Sequence, residues 1–462
     1  MAVVKRGTQW VTPARAWRAR RPLLARRPLS AVLLLGVGVG LVGLVGLWWR
    51  QTPADRIQAL PDYLVMCAQL TGLAGAYLLL LEIALMARFR WLEHRLGSWL
   101  AVAHRSLGGY LIVLLAAHVA FVVGAYSASL HATPPQVFLS LLRTYPGVLA
   151  ATLGFLGLLA LGVVSARPLR RRLGYERWHA VHLVAYPAAA AAFAHQITLG
   201  AQFTRNEWAA VAWTALHLTV AVAVVGNRIL GPLAGNRRHR FRVSGIERVN
   251  ADTVTVYVKG VLVAELGTEA GQYFRWRFLS KGLWYQAHPF SLSAAPNGNT
   301  LRLTFKCVGS YTSRVARRLR PGVRVFVEGP YGAFTNVLRR QPRVVLIGGG
   351  IGITPLRAIA EAMHGGDGDI VFIQRASKPA DLILTAELKA LDTAGRILYI
   401  PAVGRRGETD PLSAERLRTL IPDLSAREIY ICGSPGMAAS VVQSLRRARV
   451  SRGRIHTELF DF

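Results

Sequence analysis

Six stretches of the chain, 31–48, 62–87, 102–126, 147–166, 180–200 and 207–230, are almost unbrokenly apolar and are parted by polar segments. Each approaches or exceeds the roughly 20 residues that a helix needs to cross a bilayer. The pattern predicts six transmembrane helices. The first follows basic residues, as a signal peptide would, but five more spans come after it and no clean cleavage site follows, so a retained helix is expected. From about residue 237 the rhythm changes. Short alternating runs at 241–246, 253–259, 300–306 and 324–328, separated by Gly, Asn and Pro, predict strands of a small antiparallel β-barrel over 237–336. Farther on, apolar strands at 343–347, 370–374 and 429–431 and a helical run at 356–363 predict an α/β domain over 342–462. The expected order is a basic arm (1–28), a six-helix transmembrane bundle (29–232), the barrel and the α/β domain.

Charge refines this picture. The chain carries 56 Lys and Arg against 24 Asp and Glu, a formal net charge of +32. Such an excess would ordinarily suggest nucleic acid, but its location argues otherwise. Cations crowd the segments before span one, between spans two and three, between four and five, and after six. The opposite loops hold Arg50, Arg56, Arg143 and Arg205. This asymmetry obeys the positive-inside rule and puts both termini in the cytoplasm of a multi-pass cell-membrane protein. The partner implied is the lipid bilayer rather than nucleic acid, and no protein partner can be read from the chain. Cys67, Cys307 and Cys432 form no CxxC pair, so neither a disulfide framework nor a zinc site is indicated. CxxCH is absent as well, so any haem would be non-covalent, of b type.

Four histidines lie deep in the apolar runs: His104 and His118 on span three, His182 and His195 on span five. Ionisable groups at membrane depth are costly and usually functional, and imidazole is the common axial ligand of haem iron. Fourteen residues separate His104 from His118, which puts them about 40° apart around a helix and about 21 Å apart along it. They share a face at two depths, as two stacked haems would need. His182 and His195 are 13 residues apart, about 140° around a regular helix, which is the wrong face. Pro187 between them offers a kink that would restore the phase. Depth then pairs His104 with His182 on the inner side and His118 with His195 on the outer side. His179 competes with His182, and His217 on span six has no partner at its depth. Interhelical hydrogen bonding is the plainer reading of any one membrane histidine.

The barrel segment contains His288-Pro289-Phe290-Ser291, then Lys306-Cys307-Val308-Gly309-Ser310-Tyr311-Thr312. The first resembles the HPF[ST] flavin-binding signature of ferredoxin-reductase-type domains, and the second the segment that holds ring and pyrophosphate in that family. Physically, a glycine beside hydroxyls lets backbone N–H groups approach phosphate oxygens, and Lys306 can neutralise their charge. In the α/β segment, strand 343–347 runs into Gly348-Gly349-Gly350-Ile351-Gly352-Ile353-Thr354-Pro355. Glycines permit the tight turn, the following helix N-terminus attracts an anion, Thr354 suits an N-cap and Pro355 the first helical position. The stretch matches the GGxGxTP form of those nucleotide domains. Arg375 ends the next strand, where a 2′-phosphate reader could sit, with Arg405 and Arg406 as helpers. Cys432-Gly433-Ser434-Pro435-Gly436-Met437 resembles the CG[PS]xxM segment beside the nicotinamide.

Together the halves resemble the ferric reductase and NADPH oxidase family, and the 14- and 13-residue histidine spacings match it too. The resemblance covers nearly everything beyond the basic arm. It implies two haem b groups held by His104, His118, His182 and His195. It implies FAD held by Tyr273, His288, Pro289, Phe290, Ser291, Lys306, Val308, Gly309, Thr312 and the terminal aromatic Phe462. NADPH, or NADH, would be held by Gly348, Gly349, Gly350, Gly352, Thr354, Pro355, Arg375, Cys432, Gly433, Pro435, Gly436 and Met437. Electrons would then pass from cytoplasmic NADPH through FAD and the two haems to an acceptor outside, ferric iron or dioxygen. The cofactors carry the redox chemistry, so no catalytic residue beyond their ligands is expected. Two other readings stay open: a reductase subunit that feeds a quinone or a partner protein, and a haem-free scaffold or transporter.

Overall fold

A computed structural model describes residues 26–52, 57–365, 368–404 and 410–460. The arm over 1–25 lies outside the described residues; helix α1 (Arg26–Gln51) begins inside the expected arm. The membrane half continues with α2 (Leu60–Leu85), α3 (Arg90–Leu96), α4 (Ser98–Leu130), α5 (Pro134–Thr144), α6 (Val148–Ser165), α7 (Arg167–Leu173), α8 (Tyr175–His182), α9 (Ala185–Leu199), α10 (Ala201–Thr204), α11 (Glu207–Val225) and α12 (Gly231–His239). Among the described residues five helices are long and apolar enough to cross a membrane: α1, α2, α4, α6 and the run from α11 through α12. They are apolar around their whole circumference, as lipid-facing helices are.

The fifth expected span departs from the six-helix expectation. It is split into α8 and α9, with Leu183 and Val184 between them in a turn. At 1.5 Å per residue the 15-residue α9 is about 22 Å long, short of a ~30 Å hydrocarbon core. Pro187 sits in the first turn of α9, where its missing N–H would have no intrahelical partner anyway. The interruption therefore falls ahead of the proline rather than at it.

The middle segment forms two three-stranded antiparallel sheets. One has the order β1 (Arg242–Arg248), β2 (Thr253–Lys259), β5 (Thr300–Lys306); the other β4 (His288–Ser291), β3 (Tyr273–Phe278), β6 (Val325–Tyr331). Alternate residues of β3 are buried, so Phe274, Trp276 and Phe278 face Val256, Leu303 and Phe305 in one apolar core. The expected barrel is not closed. Its two seams are single bridges, Arg242 to Arg324 and Leu292 to Leu303. Helix α13 (Ser310–Arg318) follows β5.

The last segment is a five-stranded parallel sheet of order β11-β10-β7-β8-β9, built from β7 (Val344–Gly349), β8 (Ile370–Ala376), β9 (Leu398–Val403), β10 (Glu428–Gly433) and β11 (Ile455–Leu459). Helices α14 (Ile353–Ala362), α15 (Thr385–Thr393), α16 (Ala414–Leu420) and α17 (Pro435–Arg447) accompany it, with a separate apolar core on each sheet face. Strands buried on both faces explain the continuous apolar runs at 344–347 and 370–373.

Side chains fasten the membrane half to the strands. Asn236 in α12 pairs with β6 as a strand would: its Nδ2 donates to Val327 O (2.7 Å) and its Oδ1 accepts from Val327 N (2.8 Å). From the α2–α4 connection, Arg90 donates to Leu266 O (2.9 Å) and the Arg88 guanidinium lies 4.8 Å from the centre of the Tyr331 ring.

Candidate redox site

The structure brings the four span histidines together in the two pairs that depth suggests. The His104 and His182 rings are 5.9 Å apart between centroids, at 76° to each other. With metal–nitrogen bonds of about 2 Å, two imidazoles facing one iron put their centroids roughly 6 Å apart. Each Nδ1 is turned to a partner, which leaves Nε2 for a metal. His104 Nδ1 meets the Glu82 carboxylate. His182 Nδ1 lies 3.5 Å from Ser165 Oγ, which also accepts from Trp178 Nε1 (3.2 Å). His118 and His195 lie within electrostatic reach of each other. His118 Nδ1 donates to Ala68 O at 2.8 Å. Glycine makes the room here. A Cβ at Gly72 would stand 2.7 Å from His118 Nδ1, and one at Gly147 would stand 3.3 Å from His195 N. These residues fit haem iron as ligands.

Between His182 and His195, Leu183 and Val184 form a turn closed by i→i+3 bonds, Val184 N–H to Val181 O and Tyr186 N–H to Leu183 O, tighter than the regular helix on which a 13-residue spacing puts the two histidines on different faces. His179 instead lines a cavity of about 980 Å³ bounded by α2, α9, α11 and the flavin-type strands, together with Ile83, His217, Arg228, Arg275 and Gln286. His217 packs between Phe193 and Trp213, at 4.7 and 4.9 Å between ring centroids.

In the two-sheet segment, the His288 ring stacks on Tyr311 at 4.0 Å, and Phe290 lies 5.0 Å from Phe305. Pro289 and Ser291 complete β4, with Ser291 buried. Gly309 caps α13, and its N–H donates to Thr312 Oγ1 (3.1 Å). Val308 is exposed. Lys306 is not a free cation: its Nζ pairs with Asp252 Oδ2 at 2.9 Å and holds that carboxyl below its ordinary range. Both line a cleft of about 210 Å³ with Gly350, Ile351 and Asp381, so Lys306 faces the glycine turn of the next domain. Phe462 lies outside the described residues, as do Arg405 and Arg406.

The glycine turn after β7 is tight enough to exclude side chains. A Cβ at Gly349 would stand 2.2 Å from Met437 Sδ, and one at Gly352 would stand 2.4 Å from Cys432 O. Gly350 has φ +56°, where glycine is favoured. Gly348 is closed off by Ile353. The cap differs from the sequence expectation. Gly352 is the N-cap of α14, so Thr354 and Pro355 fall at its second and third positions, and Thr354 Oγ1 donates back to Ile351 O (2.9 Å). The glycine turn itself is helical up to Gly352, which draws the helix start forward by two residues. On β10, Cys432 is buried and Gly433 approaches Met437; Ser434 caps α17, with Pro435 and Gly436 in its first turn. Burial pushes the Cys432 thiol up, and Glu458 nearby adds to this, so it stays protonated at neutral pH. Arg375, the last but one residue of β8, lies opposite Gly349, and its guanidinium donates to Ala376 O.

All three segments converge around Tyr273. Its ring is 5.8 Å from Tyr331, and Arg88 from the membrane half and Glu458 from β11 are both within electrostatic reach. Glu458 also reaches Cys432. Burial lifts the Tyr331 phenol to about 12. Sequence reasoning passed over Glu82, Ser165, Gly72 and Arg88. A lone carboxylate inside the apolar run 73–85 was a readable signal; the other three acquire meaning only from the packing.

Residues 71–193 match the ferric reductase like transmembrane component, 238–335 an FAD-binding domain and 346–443 an oxidoreductase NAD-binding domain. In this order the three matched segments resemble the ferric reductase and NADPH oxidase family. The chain thus carries helices of membrane-spanning length together with an FAD-binding and an oxidoreductase NAD-binding domain. A similar relative is an NADPH oxidoreductase of Mycobacterium tuberculosis, 26% identical over 241 residues, covering 50% of this chain and 62% of that protein. Dual oxidase 2 of Rattus norvegicus is 26% identical over 239 residues, covering 49% of this chain and 14% of that one. The chain thus spans less than two thirds of the length of either. Among solved structures, the flavohaem-like FAD/NAD-binding domain of nitric oxide dioxygenase from Vibrio cholerae has 22% identity and a TM-score of 0.42, covering 48% of this chain and 99% of that one.

Proposed function

We propose that the protein passes electrons from cytoplasmic NADPH across the cell membrane to an acceptor outside, ferric iron or dioxygen. The observation that carries this reading is the His104–His182 pair, two imidazoles at metal-spanning distance whose Nδ1 atoms are both turned to partners. When bound, FAD would take a hydride from NADPH and the two haems would relay single electrons outward. His104 and His182 would hold the inner iron, His118 and His195 the outer one. Held by two histidines each, the groups would supply outer-sphere electron transfer to the acceptor.

The chain's own residues position these groups. The turn at Gly348–Gly352 brings backbone N–H groups to the dinucleotide phosphates at the head of α14. Arg375, at the strand end where a ribose phosphate would lie, favours NADPH over NADH. Met437, Gly433 and the protonated Cys432 shape a dry nicotinamide slot. His288, Phe290, Ser291 and the start of α13 hold the flavin, and Tyr273 lies where the flavin, nicotinamide and membrane segments meet. The basic loops fix orientation, with both termini in the cytoplasm.

The test is anaerobic reduction by NADPH in detergent, followed by air or by ferric citrate. Reduction of the haem bands, then reoxidation by one of the two, is the expected result. Air with superoxide formation identifies an oxidase, and ferric citrate alone a metalloreductase. Purified protein without haem absorbance, or haem that NADPH leaves oxidised, overturns the reading.

A further inference from the structure

Glu82 is the one acidic residue in the interior of α2; Asp62 lies in its first turn. It is 5% exposed, at a depth where a carboxylate is costly. Its carboxylate meets Nδ1 of His104, and among the described residues neither of its oxygens finds another hydrogen-bond partner. On the other pair, the corresponding Nδ1 of His118 donates to a neutral carbonyl, Ala68 O. A glutamine at position 82, the same shape as glutamate, would offer the His104 N–H an acceptor without burying a charge. What the carboxylate adds is negative charge and a more basic imidazole, and these matter when Nε2 is bonded to something electron-poor.

We propose that Glu82 is a positioning residue that lowers the reduction potential of the inner iron relative to the outer one. This rests on the reading that His104 is an inner-haem ligand. Glu82 holds the proton on Nδ1 and keeps Nε2 as the ligating atom. Its charge stabilises the ferric over the ferrous state at the inner position, while the neutral carbonyl behind His118 gives no such bias. For an electron arriving from the cytoplasmic side, this one carboxylate on a neighbouring helix makes the step outward more downhill.

The experiment is redox titration of the purified full-length protein, wild type and Glu82→Gln, with haem content measured by pyridine haemochrome and the low-spin electron paramagnetic resonance signals recorded. Expected is a full haem complement in the variant, an unchanged outer potential, and a shift of the inner ferric–ferrous equilibrium toward ferrous by about tenfold, which is ~59 mV for a one-electron couple. The g-values of one haem should change and those of the other should not. Unchanged potentials and g-values in a fully loaded variant overturn the proposal. If Glu82→Gln loses haem, the Glu82→Asp and Glu82→Asn variants, alike in shape and different in charge, replace it. An inner potential lower in the aspartate variant upholds the role of charge. Equal potentials, or loss of haem from all three variants, make Glu82 structural and overturn it. Wild-type protein without haem would instead be the failure of the functional reading, and it is seen before any variant is made.

Discussion

The two histidine pairs are built differently, although both join α4 to the split helix α8–α9. The inner pair is dressed by polar side chains from other helices: Glu82 behind His104, and Ser165 with Trp178 behind His182. The outer pair is dressed by backbone and by missing side chains: Ala68 O behind His118, with Gly72 and Gly147 giving up the space a methyl would fill. Side-chain partners can adjust a ligand's charge, whereas backbone contacts can set little more than its position. The inner end is thus the tunable one, and the outer end is held by steric fit.

Variants of the ligands should have the largest effect and would break the comparison outright if they behaved alike at both depths. His118→Leu is expected to remove one haem and to cut transfer to an outside acceptor by more than the ~100-fold that loss of an outer-shell partner costs. Flavin reduction by NADPH and reduction of the remaining haem should persist. His104→Leu should instead stop reduction of both haems; if the outer haem still reduced at the normal rate in stopped flow, the assigned order would be wrong. Next in size is Gly72→Ala. A methyl forced against His118 should cost ~1–3 kcal/mol of overpacking, read as loss of the outer haem alone in the haemochrome assay. Equal loss of both haems would show that the glycine serves the bundle and not the pair.

Ser165→Ala should be milder. Removing one hydroxyl costs about 1 kcal/mol, so inner-haem retention during dialysis should weaken ~fivefold while the outer haem is unaffected. The smallest effect is expected far from both pairs, at Asp252. Lys306 lowers its folded pKa below the ordinary 3.8, so the pair stabilises the flavin-type sheets above the unfolded value and loses that contribution as pH falls through the lower folded one. Being exposed, it is worth a few tenths of a kcal/mol. Asp252→Asn should melt slightly earlier than wild type at pH 7, and the gap should close as pH falls through the lowered folded value. A gap that widened in acid would reverse the sign of the argument.

Much of this architecture is legible in the chain because its signals are long or redundant. Apolar runs of spanning length mark α1, α2, α4, α6 and α11, and alternation marks β2 and β5 at their observed limits. The split of span five is not legible. Leu183 and Val184 are ordinary helix-compatible residues, and nothing local competes with the pull of Pro187 as the apparent breakpoint. That the barrel stays open is not legible either, since each seam comes down to a single bridge, Arg242 to Arg324 and Leu292 to Leu303. The cap of α14 was misjudged because a threonine before a proline is a strong local signal, yet the glycine turn ahead of it had already begun to coil. Local rules singled out the four histidines; what stands behind three of them comes from helices 17 to 50 residues away in the chain.

The amide of Asn236 has a consequence in time. Its partner, Val327, lies 91 residues downstream. At a synthesis rate of ~5–20 residues per second, the last membrane helix waits roughly 5–20 s for the strand that completes it. For that interval the amide is solvated by water in place of β6. The join between the two halves therefore forms only after the bundle has been made, and a newly inserted bundle carries an open socket until its own downstream sequence arrives to fill it.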